Sequence, residues 1–379
     1  MSILLFEEVH EVRSIYNIIK KYTTNMRKYT KLKKLIIAIE NEVEKGINDI
    51  EWIKELLQEN REKNDRFYTE LSRIIYTVKY RAIVLSQLIN IITTYTYLFN
   101  NDIYREPLTA LEKLINNAKQ YLKDISNINL YVLVEYGYLE INILEKHNVI
   151  ILCIPSYDLF KPWKWSLLFH ELGHLLFNKR RDEYIIKFRE EIQPLIKQQK
   201  PRGYKEKTSR LLSVWEQHWL TEFISDLYGV ALGGPAYTYA FIIEVFNSES
   251  SIPTTTHPSL DSRIYLQLEY LQSIREIRKL TERIYTLWSL YRGGDLAEKL
   301  GYPFSADILN KLKEIFTEIT GKPVFLNYID KIIELREKID KDENIVGEPL
   351  HLVLALSLSD KRREDPVQKK IIKAIAEDQ

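Results

Sequence analysis

The residues best suited to chemistry are two histidines and a glutamate in the segment WSLLFHELGHLLF, where residues 170–174 form an H-E-x-x-H pattern. Residues four apart lie one above the other on a helix, so the imidazoles of His170 and His174 can bind one metal ion. Glu171 is rotated away from them and is placed to reach a metal-activated water instead. The alternative is an apolar helix whose histidines are merely hydrogen-bonded, and burying two polar rings in that way costs free energy.

A catalytic zinc ion needs a third protein ligand and one open position. The best donor is Glu222, which lies 48 residues after His174 in the segment HWLTEFISDLYG. Asp226 follows four residues later on the same helix face. We therefore predict that Glu222 binds the metal and that Asp226 accepts a hydrogen bond from the other ring nitrogen of a ligating histidine. An ordinary solvated acidic pair is the alternative, and His218, on the same face, is a rival ligand.

A third segment, THPSLDSRI, places His257 in a loop bounded by Pro253 and Pro258, just before a helix that we expect to begin near Ser259. An imidazole near the metal can donate to the oxyanion that forms when hydroxide attacks a carbonyl. Arg263 can pair with acidic groups of the site or hold the substrate backbone. Taken alone, this segment fits equally well a proline-bounded helix start with a capping serine.

In combination, HELGH at 170–174, EFISD at 222–226 and THPSLDSRI at 256–264 resemble the gluzincin metallopeptidases. The branch they are most similar to is that of the CAAX prenyl protease and its soluble minigluzincin relatives. The resemblance covers about residues 149–265 and does not include the long N-terminal part. Membrane members of that branch have spans flanking the motif and we find none in this sequence, so a prenylated membrane substrate is not expected.

The resemblance implies a role for each matching residue. The implied zinc ligands are His170, His174 and Glu222, with Glu171 as general base and acid and Asp226 as the partner of His170. It also implies His257 as a transition-state donor and Arg263 as its support. In such a fold the edge strand, which we assign to residues 149–154, holds an extended peptide by strand addition.

We therefore expect a zinc-dependent metallopeptidase that hydrolyses peptide bonds through a zinc-activated water. Glu171 takes the proton of that water and later returns it to the leaving amine, while zinc and His257 share the developing oxyanion. The alternative is a catalytically silent or latent zincin-like scaffold that binds a partner protein. A zinc hydrolase acting on a non-peptide amide ranks last.

Composition limits the other classes of function. The chain has 379 residues with 54 Lys and Arg against 53 Asp and Glu, and this balance argues against a nucleic-acid or membrane binder driven by bulk charge. The single cysteine, Cys153, excludes an internal disulfide and a Cys₄ zinc site. Charged residues interrupt the best apolar run, Ser72 to Phe99, so we expect no membrane insertion and a cytoplasmic location.

The N-terminal third shows helical periodicity. One apolar row runs from Ile15 to Val43 at alternating spacings of three and four, which predicts a helix of about 35 residues that ends at Gly46 and Asn48. A second row runs from Phe67 to Phe99, and a third follows Pro107, which suits a first-turn position. Short links predict an antiparallel bundle. Self-association or partner docking through these stripes remains the alternative.

Three short β-branched segments follow, at residues 130–135, 139–144 and 149–154, and they predict a small, mostly antiparallel sheet. From Pro162 onward the periodicity is helical again, with breaks at residues 233–235, 253–258, 293–294 and 301–303. The predicted fold class is mainly α with a small β-sheet. We divide the chain into a helical extension (1–127), a zincin-like core (128–275) and a C-terminal helical region with a charged tail (276–379).

Overall fold

The structure is a computed structural model that describes residues 2–59, 65–199, 208–245, 252–292 and 300–377. The chain forms two compact units. The first comprises Met1–Arg105, Asn127–Glu135 and Ile141–Cys153, and the second comprises Glu106–Ser126, Tyr136–Glu140 and Ile154–Gln379. These units differ from the predicted division of the chain. Residues 106–126 belong to the second unit although the predicted helical extension runs to 127, and the second unit continues past the predicted boundary at 275.

The described residues are mostly helical, with one small sheet, as the sequence predicts. The helices are α1 (Ser2–Met26), α2 (Lys33–Glu59), α3 (Asp65–Phe99), α4 (Asp102–Gln120), α5 (Leu168–Lys179), α6 (Arg181–Lys187), α7 (Gln193–Gln198), α8 (Thr208–Val214), α9 (Leu220–Val245), α10 (Leu260–Gln272), α11 (Arg278–Arg292), α12 (Ala306–Thr320), α13 (Ile329–Asp340), α14 (Pro349–Leu358) and α15 (Asp365–Glu377). The strands are β1 (Asn129–Glu135), β2 (Leu139–Ile141) and β3 (Val149–Pro155).

In the first unit, α1, α2 and α3 pack on one another. The single long helix predicted through residues 15–43 is wrong, because α1 ends at Met26 and a 3₁₀ turn leads into α2. Nor does Gly46 end a helix. It lies within α2, where a Cβ atom would come 2.1 Å from the ring of Tyr16, so the glycine makes room for that ring. Tyr16 belongs to the buried face of α1, whereas Ile18, a member of the predicted row, is half exposed.

The predicted third helix is present but starts earlier than expected. α4 begins at Asp102, where the side chain of Asn101 accepts a hydrogen bond from the amide of Ile103 (3.0 Å). Pro107 therefore lies inside the helix and not in its first turn, where the missing N–H would have been harmless. The apolar row that follows it within α4 is buried as predicted.

Among the described residues, Arg66–Phe99 is long and apolar enough to cross a membrane by length and composition. A core helix of a soluble protein passes the same test. The helix packs on α1 and α2, with Leu85 and Ile92 fully buried.

The sheet is mixed, with strand order β1-β3-β2, rather than mostly antiparallel. The amide of Asn129 donates to the carbonyl of Asn148 (2.7 Å), so β1 and β3 begin side by side and run parallel. β3 is the central strand, buried along its whole length. The expectation that residues 149–154 form an edge strand for peptide addition is therefore wrong, because hydrogen-bonded neighbours already occupy both sides.

In the second unit, α9 is the central helix, and α5, α10 and α14 pack against it. Nearly every residue of α9 from Leu220 to Ile242 is buried, as expected for a helix that is apolar on all sides. The predicted break at 233–235 is a kink inside α9, centred on Gly234 (φ 55°) and followed by Pro235.

Three further predictions concern the ends of helices. Ser259 caps α10 as expected, because its side chain accepts a hydrogen bond from the amide of Ser262 (3.3 Å). The charged C-terminal segment, open to interpretation as a short helix or a frayed tail, forms α15 with Ile371 and Ile375 buried. The predicted break at residues 293–294 lies outside the described residues.

Candidate metal centre

Two of the candidate ligands project from α5, which starts after a 3₁₀ turn at Pro162–Leu167. The Nε2 atoms of His170 and His174 are 3.1 Å apart, and the two rings are nearly perpendicular. Phe169 and Leu172 on the same helix are fully buried. Burial of this apolar side fixes the rotation of α5 and leaves both imidazoles together at its partly exposed edge.

The third candidate ligand comes from α9. One carboxylate oxygen of Glu222, Oε2, lies 3.5 Å from His170 Nε2, and the other, Oε1, lies 3.6 Å from His174 Nε2. One donor atom from each of the three residues lies within 4.8 Å of the others. His218, the rival ligand, is exposed and does not belong to this group.

Asp226, one helical turn after Glu222, is fully buried behind the histidines. Its Oδ1 lies 2.9 Å from His170 Nδ1, the ring nitrogen that faces away from the cluster. Arg263 holds the same carboxylate through two hydrogen bonds, from Nε (2.6 Å) and Nη2 (2.8 Å), and Tyr237 donates a third (2.9 Å). With its carboxylate fixed by these donors, Asp226 holds the ring of His170 in one orientation.

Arg263 is buried, and its remaining nitrogen, Nη1, lies 3.2 Å from Glu222 Oε2. Its guanidinium therefore joins two carboxylates, which is the first of the two roles expected for it. The side chain also stacks on Phe241, 4.9 Å from the ring centroid. Its contact with both acids makes it a positioning group for the ligand set.

The electrostatics of the cluster favour ionised carboxylates. Burial opposes ionisation of Glu222 and Asp226, but the guanidinium of Arg263 and the ring of His170 hold the pKa of both carboxyls well below their ordinary values. Burial also disfavours a charged His170, but the attraction of the nearby Asp226 and Glu222 carboxylates outweighs it and raises the pKa of that ring to about 10. Burial and the neighbouring charge of His170 lower the pKa of His174 to about 3. A metal ion bound here would take the place of the proton that the carboxylates attract.

Glu171 lies on α5 beside the ligands and is buried. Burial raises the pKa of its carboxyl, and the nearby Glu222 adds to this effect. A carboxylate with a raised pKa is a stronger proton acceptor than one on the surface, which suits the role of general base.

His257 lies on the open side of the cluster, with 58% of its side chain exposed and Nε2 3.9 Å from Glu222 Oε2. Thr254 closes its loop, because the Thr254 amide donates to the carbonyl of His257 and the Thr254 hydroxyl accepts from the amide of His257 (both 2.9 Å). The indole of Trp219 donates in turn to the carbonyl of Thr254 (2.9 Å). The hydroxyl of Thr256 lies 2.9 Å from His257 Nδ1. These contacts point the Nε2 side of the ring toward the cluster.

The donor set fits a divalent metal ion. Two imidazole nitrogens and one carboxylate face one another, and Glu222 Oε2 is buried without a hydrogen bond among the described residues, although Arg263 lies close to it. Three carboxylates, counting Glu171, outnumber the guanidinium of Arg263 and the charged ring of His170, so the cluster attracts further positive charge. Two nitrogens with one carboxylate is a ligand set that zinc accepts, whereas magnesium and calcium prefer oxygen ligands alone.

Sequence reasoning missed several residues that hold the site together, and Tyr237 is the clearest of them. A Cβ atom on Gly229 would lie 2.5 Å from the ring of Tyr237, and one on Gly233 would lie 2.7 Å from its Cβ. In the sequence, these two glycines four residues apart are the feature that could have indicated a large ring packed closely on α9. The break predicted at residues 233–235 marked the kink at Gly234, but it did not indicate that the ring of Tyr237 turns toward Asp226.

Comparison of the chain with protein-family models, with curated proteins and with solved structures finds no match in any of the three.

Proposed function

We propose that this protein is a zinc-dependent metallopeptidase of the gluzincin type. The observation that carries the proposal is the convergence of His170, His174 and Glu222, whose donor atoms lie within 4.8 Å of one another although 48 residues separate the last two. Three short motifs support the family assignment, and the zincin-like character of the surrounding helices belongs to the same proposal.

A zinc ion held by these residues supplies Lewis acidity, which makes water more acidic and polarises a carbonyl group. The chain itself has to fix the ligands and leave one side of them accessible. Asp226 and Arg263 fix the ligands, because they hold His170 and Glu222 in place through buried hydrogen bonds and ion pairs. One side of the cluster stays accessible because His174 is partly exposed and His257 is exposed.

Proton movements fall to Glu171 and His257. Glu171 accepts the proton of the attacking water and returns it to the leaving amine. Its buried carboxylate suits this role because it lies on α5 next to the ligand His170. His257 donates from Nε2 to the oxygen of the scissile carbonyl as negative charge develops there.

A peptide or protein is the substrate class we propose, on the strength of the motifs. The substrate cannot add to β3 as an extra strand, because β1 and β2 flank it. A cytoplasmic location without nucleic-acid partners and without membrane insertion belongs to the same proposal.

The test is cleavage of casein and of a pooled fluorogenic peptide library by the full chain. We expect cleavage with zinc, loss of cleavage with 1,10-phenanthroline, and recovery when zinc is added back. The Glu171→Gln variant, carried through the same purification, excludes a contaminating peptidase. One zinc ion per chain with no cleavage of any peptide would contradict the peptidase and favour the scaffold alternative.

A further inference from the structure

The strongest charge asymmetry of the chain lies far from the metal motifs in sequence, in residues 20–34. This segment, KKYTTNMRKYTKLKK, contains seven cations and no carboxylate. Because the whole chain has a net charge of +1, the remaining residues together carry −6. A local excess of this size acts as a positive surface even in a protein of balanced composition.

The segment forms the end of α1, the 3₁₀ turn Thr30–Leu32 and the start of α2, and we call it the basic end. Met26 and Leu32 are its buried apolar residues, and they anchor it to the first unit. All of its cations are exposed, and the turn that joins the packed helices α1 and α2 brings the segment to one end of this helix pair; the cations are Lys20, Lys21, Arg27, Lys28, Lys31, Lys33 and Lys34.

Few of these charges are neutralised within the first unit. Arg27 forms a paired contact with Glu40 (2.8 and 3.1 Å), and Lys34 donates to the side chain of Asn129 (2.9 Å). Four of the lysines have no ion pair within the described ranges, and these are Lys20, Lys21, Lys28 and Lys33. Folding therefore leaves most of the positive potential facing solvent.

Aromatic side chains lie within and beside this surface. Lys31 Nζ lies 4.0 Å from the ring centroid of Phe99, so the end of α3 adjoins the basic end. Phe99 itself is half-buried, so its ring is partly accessible beside Lys31. Tyr22, inside the basic end, is half exposed. Cations next to exposed aromatic and aliphatic residues are typical of surfaces that rest at a membrane interface.

A groove of about 280 Å³ opens in the same surface. It is lined by Arg27, Lys33, Ile36, Ile37 and Glu40. Because Arg27 is already paired with Glu40 in this groove, Lys33 is the cation that can receive the phosphate of a lipid headgroup, while the glycerol carbons contact the exposed Ile37.

We propose that the basic end docks the protein on the surface of an anionic phospholipid bilayer. Charge complementarity carries the proposal, since clusters of four to eight lysines and arginines bind anionic lipid surfaces. A nucleic acid is the less fitting partner, because six of the seven cations are lysines and the exposed Ile37 of the groove adds nothing to contact with a phosphodiester backbone. Docking is peripheral, inserts no helix, and is independent of the metal centre.

The test is co-sedimentation of the full chain with two kinds of vesicle at physiological salt, one of phosphatidylcholine alone and one in which phosphatidylglycerol supplies about a third of the lipid. We expect binding only to the anionic vesicles, weakened when the salt concentration is raised severalfold. The basic-end variant should bind about tenfold or more weakly, because it loses four charges that face the lipid. It combines changes to Gln at Lys20, Lys21, Lys28 and Lys33.

The matched control changes four exposed lysines elsewhere to Gln, at positions 123, 322, 369 and 373. It alters net charge by the same amount and should bind as the unmodified chain does. A second variant replaces Tyr22, the exposed aromatic residue within the basic end, with Ser, and it should bind more weakly without any change in charge. Far-ultraviolet circular dichroism verifies the folding of every variant.

Three results would overturn the proposal. The first is absence of binding to anionic vesicles, and the second is an equal loss of binding in the basic-end variant and its matched control. The third is binding of the chain to a single-stranded oligonucleotide without binding to vesicles, which would identify a nucleic acid as the partner instead.

Discussion

Gly173 and Ser225 mark the point where α5 and α9 touch. A Cβ atom on Gly173 would lie 2.6 Å from both the Cα and the carbonyl oxygen of Ser225, a separation that real Cβ atoms do not adopt. Each of the two residues directly precedes a residue of the site, because Gly173 is followed by His174 and Ser225 by Asp226. The backbone contact therefore sets the distance between the two helices that carry the ligands.

We expect the Gly173→Ala change to force α5 and α9 apart and so to separate the histidines from Glu222. The variant should lose most of its bound zinc and about 1–3 kcal/mol of stability, the usual cost of overpacking a close contact. Zinc content and thermal unfolding measure the two effects. Gly137→Ala is the matched control, since a Cβ atom there meets nothing within 4 Å. Full zinc occupancy in Gly173→Ala would contradict this role for the helix contact.

Glu171→Gln should retain zinc and lose peptide hydrolysis by about 10²- to 10⁴-fold, because the amide cannot accept the proton of water. The change preserves shape, and Glu171 is not one of the three converging ligand groups. Steady-state cleavage together with metal analysis of the same sample is the measurement. A variant with full zinc and full activity would show that another group is the base.

Thr256 should set the tautomer of His257. If its hydroxyl donates to Nδ1, 2.9 Å away, the ring proton resides on Nε2, the atom that faces the cluster. We expect Thr256→Val to lower kcat by about tenfold with zinc content and KM little changed, and Thr256→Ser to retain activity. Equal kcat values for the Val and Ser variants would exclude this role.

Glu42 should make the stability of the fold depend on pH in a way that does not involve the metal site. Its carboxylate is buried in the first unit beside Lys146, His147 (2.7 Å) and Arg81 (3.9 Å). Burial opposes ionisation, but these hydrogen bonds and charges outweigh it and lower the pKa of Glu42 from its ordinary 4.5. Because the pKa of Glu42 is lower in the folded chain than in the unfolded chain, its ionised carboxylate stabilises the fold above pH 4.5. That contribution is lost as the pH falls through the folded-state pKa.

We therefore expect the free energy of unfolding to fall less steeply with acid in Glu42→Gln than in the unmodified chain. Urea unfolding at a series of pH values below neutrality provides the comparison. Glu44→Gln, at an exposed position on the same helix, is the control and should follow the unmodified chain. Identical acid profiles for all three proteins would contradict the ion-pair assignment.

Periodicity predicted the helices well where tertiary contacts did not compete with it. The row from Phe67 to Phe99 corresponds to α3, and the three β-branched segments correspond to the three strands. The failures have physical causes. The spacing pattern continues through residues 27–32 although the chain turns there, and Gly46 suggested a helix end although it accommodates the ring of Tyr16.

For the site, spacing within one helix was enough to place His170 beside His174 and Glu222 beside Asp226. Strand order, by contrast, depends on long-range pairing, and the order β1-β3-β2 could not be derived from local pattern. The hydrogen bond from Tyr237 to Asp226 depends on the kink in α9 and was equally out of reach.

The measurement that tests the central claim most directly is zinc stoichiometry of the unmodified chain, of Glu222→Ala and of His218→Ala. We predict one zinc ion per chain in the unmodified protein and in His218→Ala, and loss of most of the zinc in Glu222→Ala, because Glu222 completes the ligand set and exposed His218 lies outside it. Full zinc occupancy in Glu222→Ala, or no zinc in the unmodified chain at saturating metal, would contradict the account.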